Sequence, residues 1–264
     1  SYIINIIFPL DYLISYLMGK WAVKYGKDLP GYIESLAELE SLMCASQTGL
    51  VFAESSFPDF VGSDDPSDNA YFEGEDLAHP LLDHDTVVRN SVTINKDIAI
   101  ITGSNMSGKT TFLRTIAINM VLAYSGSKVC AAKFTVPYAR IFTSMRIMDD
   151  VAGGVSTFYA EILRIKEMAE YVEKGEELPA ICFIDEIFKG TNSADRIVGS
   201  EKALKKLSTP NTMVFVSTHD FELCYLTLND GSAAENYHFE EHYDQGRLMF
   251  DIARSEERFS RNAE

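Results

Sequence analysis

Between Ile101 and Thr115 the chain reads ITGSNMSGKTTFLRT. Gly103, Gly108, Lys109 and Thr110 fit the pattern G-x-x-x-x-G-K-[ST]. An apolar run, DIAIIT, leads into it, and a helix is predicted behind it from about Lys109 to Ala123. The glycines allow backbone conformations that a Cβ would forbid, so successive N–H groups can converge on phosphate oxygens. The helix aims its positive N-terminal end at the same anion. The candidate binding segment is therefore Gly103, Ser104, Asn105, Met106, Ser107, Gly108, Lys109, Thr110 and Thr111. Lys109 can reach the β- and γ-phosphates of a nucleotide, and Thr110 offers a hydroxyl to Mg²⁺. The bland alternative is a chance match in a Gly/Ser turn. The strand–loop–helix context favours the functional reading, with ATP and Mg²⁺ as the implied ligands.

A nucleotide loop calls for a second element, an apolar strand ending in Asp. AICFIDE supplies it at Asp185, which would hold the Mg²⁺ shell, through water where the ion keeps its hydration. Glu186 follows directly, and a carboxylate one step beyond the metal Asp can deprotonate an attacking water. A second apolar run, TMVFVST, ends next to His219, placed to contact a γ-phosphate. His79, His84, His238 and His242 lack such a context and are read as ordinary surface or hairpin residues. Continuously apolar strands alternating with helices, such as YAEILRIKEMAEYVEKG, predict an α/β fold with a mainly parallel sheet covered on both faces. The stretch NYHFEEHYDQGRLMFDIA reads as a β-hairpin turning near Gly246.

The first residues are the most apolar, but Asn5, Pro9, Asp11 and Ser15 interrupt them, so no membrane span is expected. Leu10, Leu13, Ile14 and Leu17 fall at helical spacing, and PGYIESLAELESLMCAS reads as a second helix. A helical segment over residues 1–56 and a main domain over 57–264 follow, with the Asp-, Ser-, Gly- and Pro-rich stretch from Phe57 to Pro80 as a loop-rich entry. The start at Ser1 suggests a piece of a longer parent chain. A net charge of −16 is a poor balance for gripping a phosphate backbone over a broad surface, so any nucleic-acid grip is expected elsewhere. The four cysteines, Cys44, Cys130, Cys182 and Cys224, form no C-x-x-C pair, which fits reduced thiols in a cytoplasmic protein and gives no support to a zinc site.

These residues also carry a family likeness. TGSNMSGKTTFLR resembles the phosphate loop T-G-x-N-M-x-G-K-[ST] of the MutS family of DNA mismatch-repair ATPases, with the Asn105–Met106 pair as its distinctive part. DDVAGGVSTFYAEI, from Asp149 to Ile162, resembles the family's signature segment. FIDEIFKGTNSAD resembles its second acidic strand and the loop behind it, and STHDFEL its switch-His segment. The resemblance implies an ABC-type P-loop ATPase acting as a homodimer with ATP sandwiched between subunits. Ser156 and Thr157 of one subunit would then face the nucleotide of the other. It also implies an adenine bed at Val87 and Val88, neither of which offers an aromatic face, and DNA binding by parts of the parent beyond this chain. Two segments depart from the pattern. Tyr159 stands where Met is usual, and DEIFKGTN replaces D-E-x-G-R-G-T, so the chain looks like a divergent branch.

Three functions follow as expectations. The first is an ATP-hydrolysing dimerisation module of a MutS-like DNA-repair protein. The second is an ABC-type motor, disfavoured because AGGVSTF stands where a transporter would carry an LSGGQ-like segment. The third is a non-hydrolysing, nucleotide-gated scaffold, which Glu186 speaks against.

Overall fold

The computed structural model describes residues 10–52, 54–61, 72–83, 87–105, 107–145, 157–244 and 247–254. The chain divides into two compact units, Ser1–Gln47 and Thr48–Glu264. In the first, helix α1 spans Leu10–Tyr25, and helix α2 starts at Leu29 and ends in the second unit at Val51. Lys24 lies in the last turn of α1, where a cation meets the negative end of the helix dipole. The helices form where the spacing predicts them, yet neither contains a buried residue. Among the described helices none is long and apolar enough to cross a membrane.

The second unit is α/β, with two sheets rather than the single mainly parallel one expected. A six-stranded sheet has the order β10-β9-β4-β8-β7-β6. Its strands are β4 (Ile98–Gly103), β6 (Arg140–Ser144), β7 (Ala180–Asp185), β8 (Thr212–Ser217), β9 (Glu235–Asp244) and β10 (Arg247–Arg254). It is parallel throughout except for the β9–β10 hairpin, the one predicted from NYHFEEHYDQGRLMFDIA; its turn at 245–246 lies outside the described residues. A smaller sheet, ordered β1-β5-β2-β3, contains β1 (Asp59–Val61), β2 (Phe72–Leu77), β3 (Asn90–Ile94) and β5 (Lys133–Pro137). Its pairs are antiparallel except β1 with β5. So the stretch read as a loop-rich entry holds two strands, β1 and β2. The turn-forming residues of FEGEDL hid β2, whose apolar Phe72 and Leu77 are buried by partners far along the chain.

Three helices cover the large sheet: α3 (Lys109–Tyr124), α4 (Thr157–Lys174) and α5 (Ser193–Leu207). Because side chains alternate across a strand, β4 sends Ala99 and Ile101 to one core and Ile98 and Ile100 to the other. The first core takes Phe112, Leu113, Ile116 and Met120 of α3, and Phe72, Ile94 and Phe134 of the smaller sheet. The second takes Ile165, Met168 and Ala169 of α4 with Leu204 and Leu207 of α5. Burial on both faces explains why β4, β7 and β8 are continuously apolar instead of alternating. Asn119, fully buried in α3, donates to the carbonyls of Ala78 and Thr115 and accepts the N–H of Cys130, tying the helix to two loops.

Candidate phosphate and metal site

Strand order puts β8 between β4 and β7, so three parallel strands end side by side with their C-terminal residues at one edge. In open α/β sheets that edge is where ligands bind. From β4 comes the loop 103–108, from β7 Asp185 and Glu186, and from β8 Ser217, Thr218 and His219.

The loop is shaped as the glycine spacing requires. Gly108 has φ 96° and leads into α3 with no side-chain hydrogen bond capping the helix start, the end of a helix that favours an anion. Gly103 has φ 149°, and a Cβ there would meet Ser107 Oγ at 2.8 Å and Phe239 Cβ at 3.0 Å. Lys109, only 6% exposed, folds back so that Nζ donates to the carbonyls of Gly103 (2.9 Å) and Ser104 (2.6 Å). Ser107 is fully buried and its hydroxyl has no hydrogen-bond partner among the described residues. Ser104, Asn105 and Thr111 are exposed. Met106 lies outside the described residues.

Thr110 Oγ1 donates to the Asp185 carboxylate, at 3.0 Å from Oδ1 and 2.9 Å from Oδ2. Ser217 Oγ donates to Asp185 Oδ1 at 2.5 Å and accepts the Glu186 N–H at 3.1 Å. The Glu186 N–H also reaches the Ser217 carbonyl at 3.1 Å. One hydroxyl of β8 thus holds the Asp185 carboxylate and the Glu186 backbone together.

Glu186 holds a left-handed backbone, φ 55°, rare for a residue with a side chain. One of its carboxylate oxygens pairs with Lys189, and Oε1 lies 3.4 Å from His219 Nε2. Burial works to raise the Glu186 carboxyl. The Lys189 ammonium and the His219 ring outweigh it and hold the group below the usual carboxylate range. Beside them Arg196 donates to Asp220 through Nε and Nη2, both at 2.6 Å. That fork pulls the Asp220 carboxyl down against burial and pushes Arg196 up. Asn105, Glu186, Lys189, Arg196, His219 and Asp220 line one cleft of about 210 Å³.

The predicted residues Lys109, Thr110, Asp185, Glu186 and His219 therefore gather at one edge. Ser156 lies outside the described residues, and Thr157 is the first residue of α4. Val88 is half-buried; Val87 is too, packed against Phe52, Ala78 and Cys130. Lys189, Arg196 and Asp220 were not singled out from sequence. A faint signal existed for Lys189, three residues beyond a carboxylate; none existed for the pairing of Arg196 with Asp220 on separate elements.

The residues fit a phosphate group with a small hard cation. Two positive-φ glycines, an uncapped helix start, a buried ammonium and an orphaned buried hydroxyl form an anion cradle. Thr110 and Asp185 supply the oxygen donors that Mg²⁺ prefers. Among the described residues no group of three or more His, Cys, Asp and Glu side chains is arranged for a metal. Mg²⁺ in nucleotide sites needs only one or two carboxylates beside the phosphates.

The family model described as MutS domain V matches residues 99–262. The chain is 31% identical over 192 residues to the DNA mismatch repair protein MutS of Staphylococcus haemolyticus, covering 70% of this chain and 21% of that protein. It is 33% identical over 174 residues to the MutS of Thermus aquaticus, 65% of this chain and 21% of that protein. With DNA mismatch repair protein MutS 2 of Haloarcula marismortui it shares 34% identity over 156 residues, 58% of this chain and 16% of that one. The match spans about a fifth of the length of the first two relatives.

Proposed function

This chain belongs to the MutS family, and on that premise we propose that it is the ATP-binding and hydrolysing module of a MutS-like DNA-repair protein, a P-loop ATPase of the ABC type. The observation that carries the reading is the meeting of Lys109, Thr110, Asp185, Glu186 and His219 at the adjoining ends of β4, β7 and β8.

In this reading the amides of the 103–108 loop and the start of α3 hold the phosphates, and Lys109 turns its ammonium from the loop carbonyls toward them. Thr110 and Asp185 hold Mg²⁺. When bound, the ion draws charge from the phosphate oxygens and orients them. Glu186 accepts the proton of the attacking water, for which it must be ionised; Lys189 and His219 favour that state. Lys189 must give way as nucleotide enters, because its ammonium sits on the carboxylate that does this work. Ser217 keeps Asp185 and Glu186 in register with each other.

The module acts as a homodimer in which Ser156 and Thr157 of one copy cover the nucleotide of the other, and its ATP state governs DNA binding by other parts of the parent protein. The Lys189–Glu186 ion pair is the one observation that favours a rival, a nucleotide-gated scaffold whose carboxylate stays neutralised. Turnover separates the two. The wild-type chain is expected to bind ATP by calorimetry and hydrolyse it with Mg²⁺. Glu186→Gln keeps binding and loses about 10²–10⁴-fold in kcat. Absence of nucleotide binding by the wild-type chain defeats the proposal. Binding without turnover leaves the scaffold.

A further inference from the structure

The segment behind β7 is held in an uncommon backbone shape. Glu186 and Phe188 both lie in the left-handed region, φ 55° and 56°, although neither is glycine. The family pattern D-E-x-G-R-G-T has glycine at the position of Phe188, where this conformation has no steric cost. A bulky residue there persists only if its surroundings over-determine it. Those surroundings come largely from α4. Glu161, 8% exposed, accepts the Phe188 N–H on Oε1 at 2.6 Å. Phe158 meets the Phe188 ring edge-on at 6.0 Å between centroids. Gly190 approaches so closely that a Cβ on it would lie 2.9 Å from Phe158 Cβ. A Cβ on Gly199 of α5 would lie 3.4 Å from the Phe188 ring.

We propose that Glu161 is a positioning residue for Glu186: by gripping the Phe188 amide it locks the 186–188 segment, with its two left-handed residues, and so fixes where the Glu186 carboxylate points. The proposal rests on the hydrolysis reading of Glu186. Glu161 acts through the backbone of Phe188. Burial pushes its carboxyl up while the Phe188 N–H pulls it down. A buried carboxylate that accepts a loop amide is an expensive way to hold a helix on a sheet, since apolar packing would do that at lower desolvation cost. Directional capture of one N–H is what a carboxylate adds. The grip also links α4 mechanically to Glu186, so displacement of the helix start reaches the carboxylate through one hydrogen bond.

The test compares Glu161→Gln, which keeps a carbonyl acceptor, with Glu161→Met, which fills similar volume without one. ATP affinity is measured by calorimetry, kcat and KM by steady-state turnover, and exchange of the Phe188 amide by hydrogen–deuterium exchange. Met is expected to lower kcat by roughly 10–100-fold, the scale of a small misplacement of a reacting group, with KM for ATP and affinity retained. Gln restores kcat to within about threefold of wild type. The Phe188 amide is protected in wild type and Gln and exchanges faster in Met. A Met variant with wild-type kcat, or a Gln variant that falls as far as Met, overturns the proposal. Should Met fail to fold, an unprotected Phe188 amide in wild type or a tenfold loss in Gln still overturns it, and protection with retained turnover supports it. A wild-type chain that binds no ATP refutes the hydrolysis reading instead, and the exchange comparison then still reports whether Glu161 holds the loop.

Discussion

Ser217 and Ser200 are both fully buried serines, and replacing each by alanine is expected to change stability in opposite directions. Ser217 Oγ donates to the Asp185 carboxylate and accepts part of the Glu186 N–H. A hydrogen bond to an ionised group contributes about 1.5–3 kcal/mol, and a neutral one about 0.5–1.5 kcal/mol. The Glu186 N–H keeps its second acceptor, the Ser217 carbonyl, and Asp185 keeps Thr110, so neither is orphaned. Ser217→Ala is therefore expected to lose about 2–3 kcal/mol. Ser200, in the interior of α5, has a hydroxyl with no hydrogen-bond partner among the described residues. Removing it relieves a buried unsatisfied group and raises helix propensity by about 0.5 kcal/mol, for a net gain of about 1 kcal/mol. Urea unfolding of each variant beside wild type measures both. For a unit of this size about 2–4 °C in Tm accompanies each kcal/mol, so Ser217→Ala should melt roughly 4–12 °C lower. Ser217→Ala within about 0.5 kcal/mol of wild type, or Ser200→Ala less stable by more than about 1 kcal/mol, refutes the assigned hydrogen-bond roles.

Lys109→Ala should abolish ATP binding, because charge-assisted phosphate contacts are the strong kind; calorimetry showing wild-type affinity contradicts this. The Arg196 fork holds Asp220 below its unfolded value of about 3.9, so its stabilisation is present above that pH and is lost as pH falls through the lower folded value. Asp220→Asn should thus flatten the acid side of the stability–pH curve below about pH 4, and an unchanged slope would show that the pair contributes nothing. Mixing Ser156→Arg subunits with Lys109→Ala subunits, each inactive alone, should restore turnover if a nucleotide is shared between copies. Proven mixed dimers without recovery, with Ser156→Arg active on its own, would remove Ser156 from the nucleotide site. With a net charge of −16 the chain by itself should bind duplex DNA weakly, and nanomolar binding at physiological salt would overturn that.

The parts of this protein that the sequence alone determined are those made by neighbours in the chain. Gly103 to Thr110 specify a strand–loop–helix turn locally, through residues that tolerate positive φ and a lysine that reaches back over its own loop. The continuously apolar runs of β4, β7 and β8 announce strands buried on both faces, and acids at their ends mark where a ligand edge lies. Tertiary structure decided what depends on partners distant in sequence. β2 carries Gly and acids, and becomes a strand because β3 and β5 supply its backbone bonds on either side in the smaller sheet. The position of β8 between β4 and β7 follows from packing of the crossover helices, and it turns Ser217 from a strand-end hydroxyl into the group that binds the Asp185 carboxylate and the Glu186 amide. The Arg196–Asp220 fork, the Lys189–Glu186 pair and the hold of Glu161 on the Phe188 amide depend on where separate segments meet. Periodicity reports which face of an element is apolar; it carries no information on which other face will lie against it, and that choice is made by the packing of the whole unit.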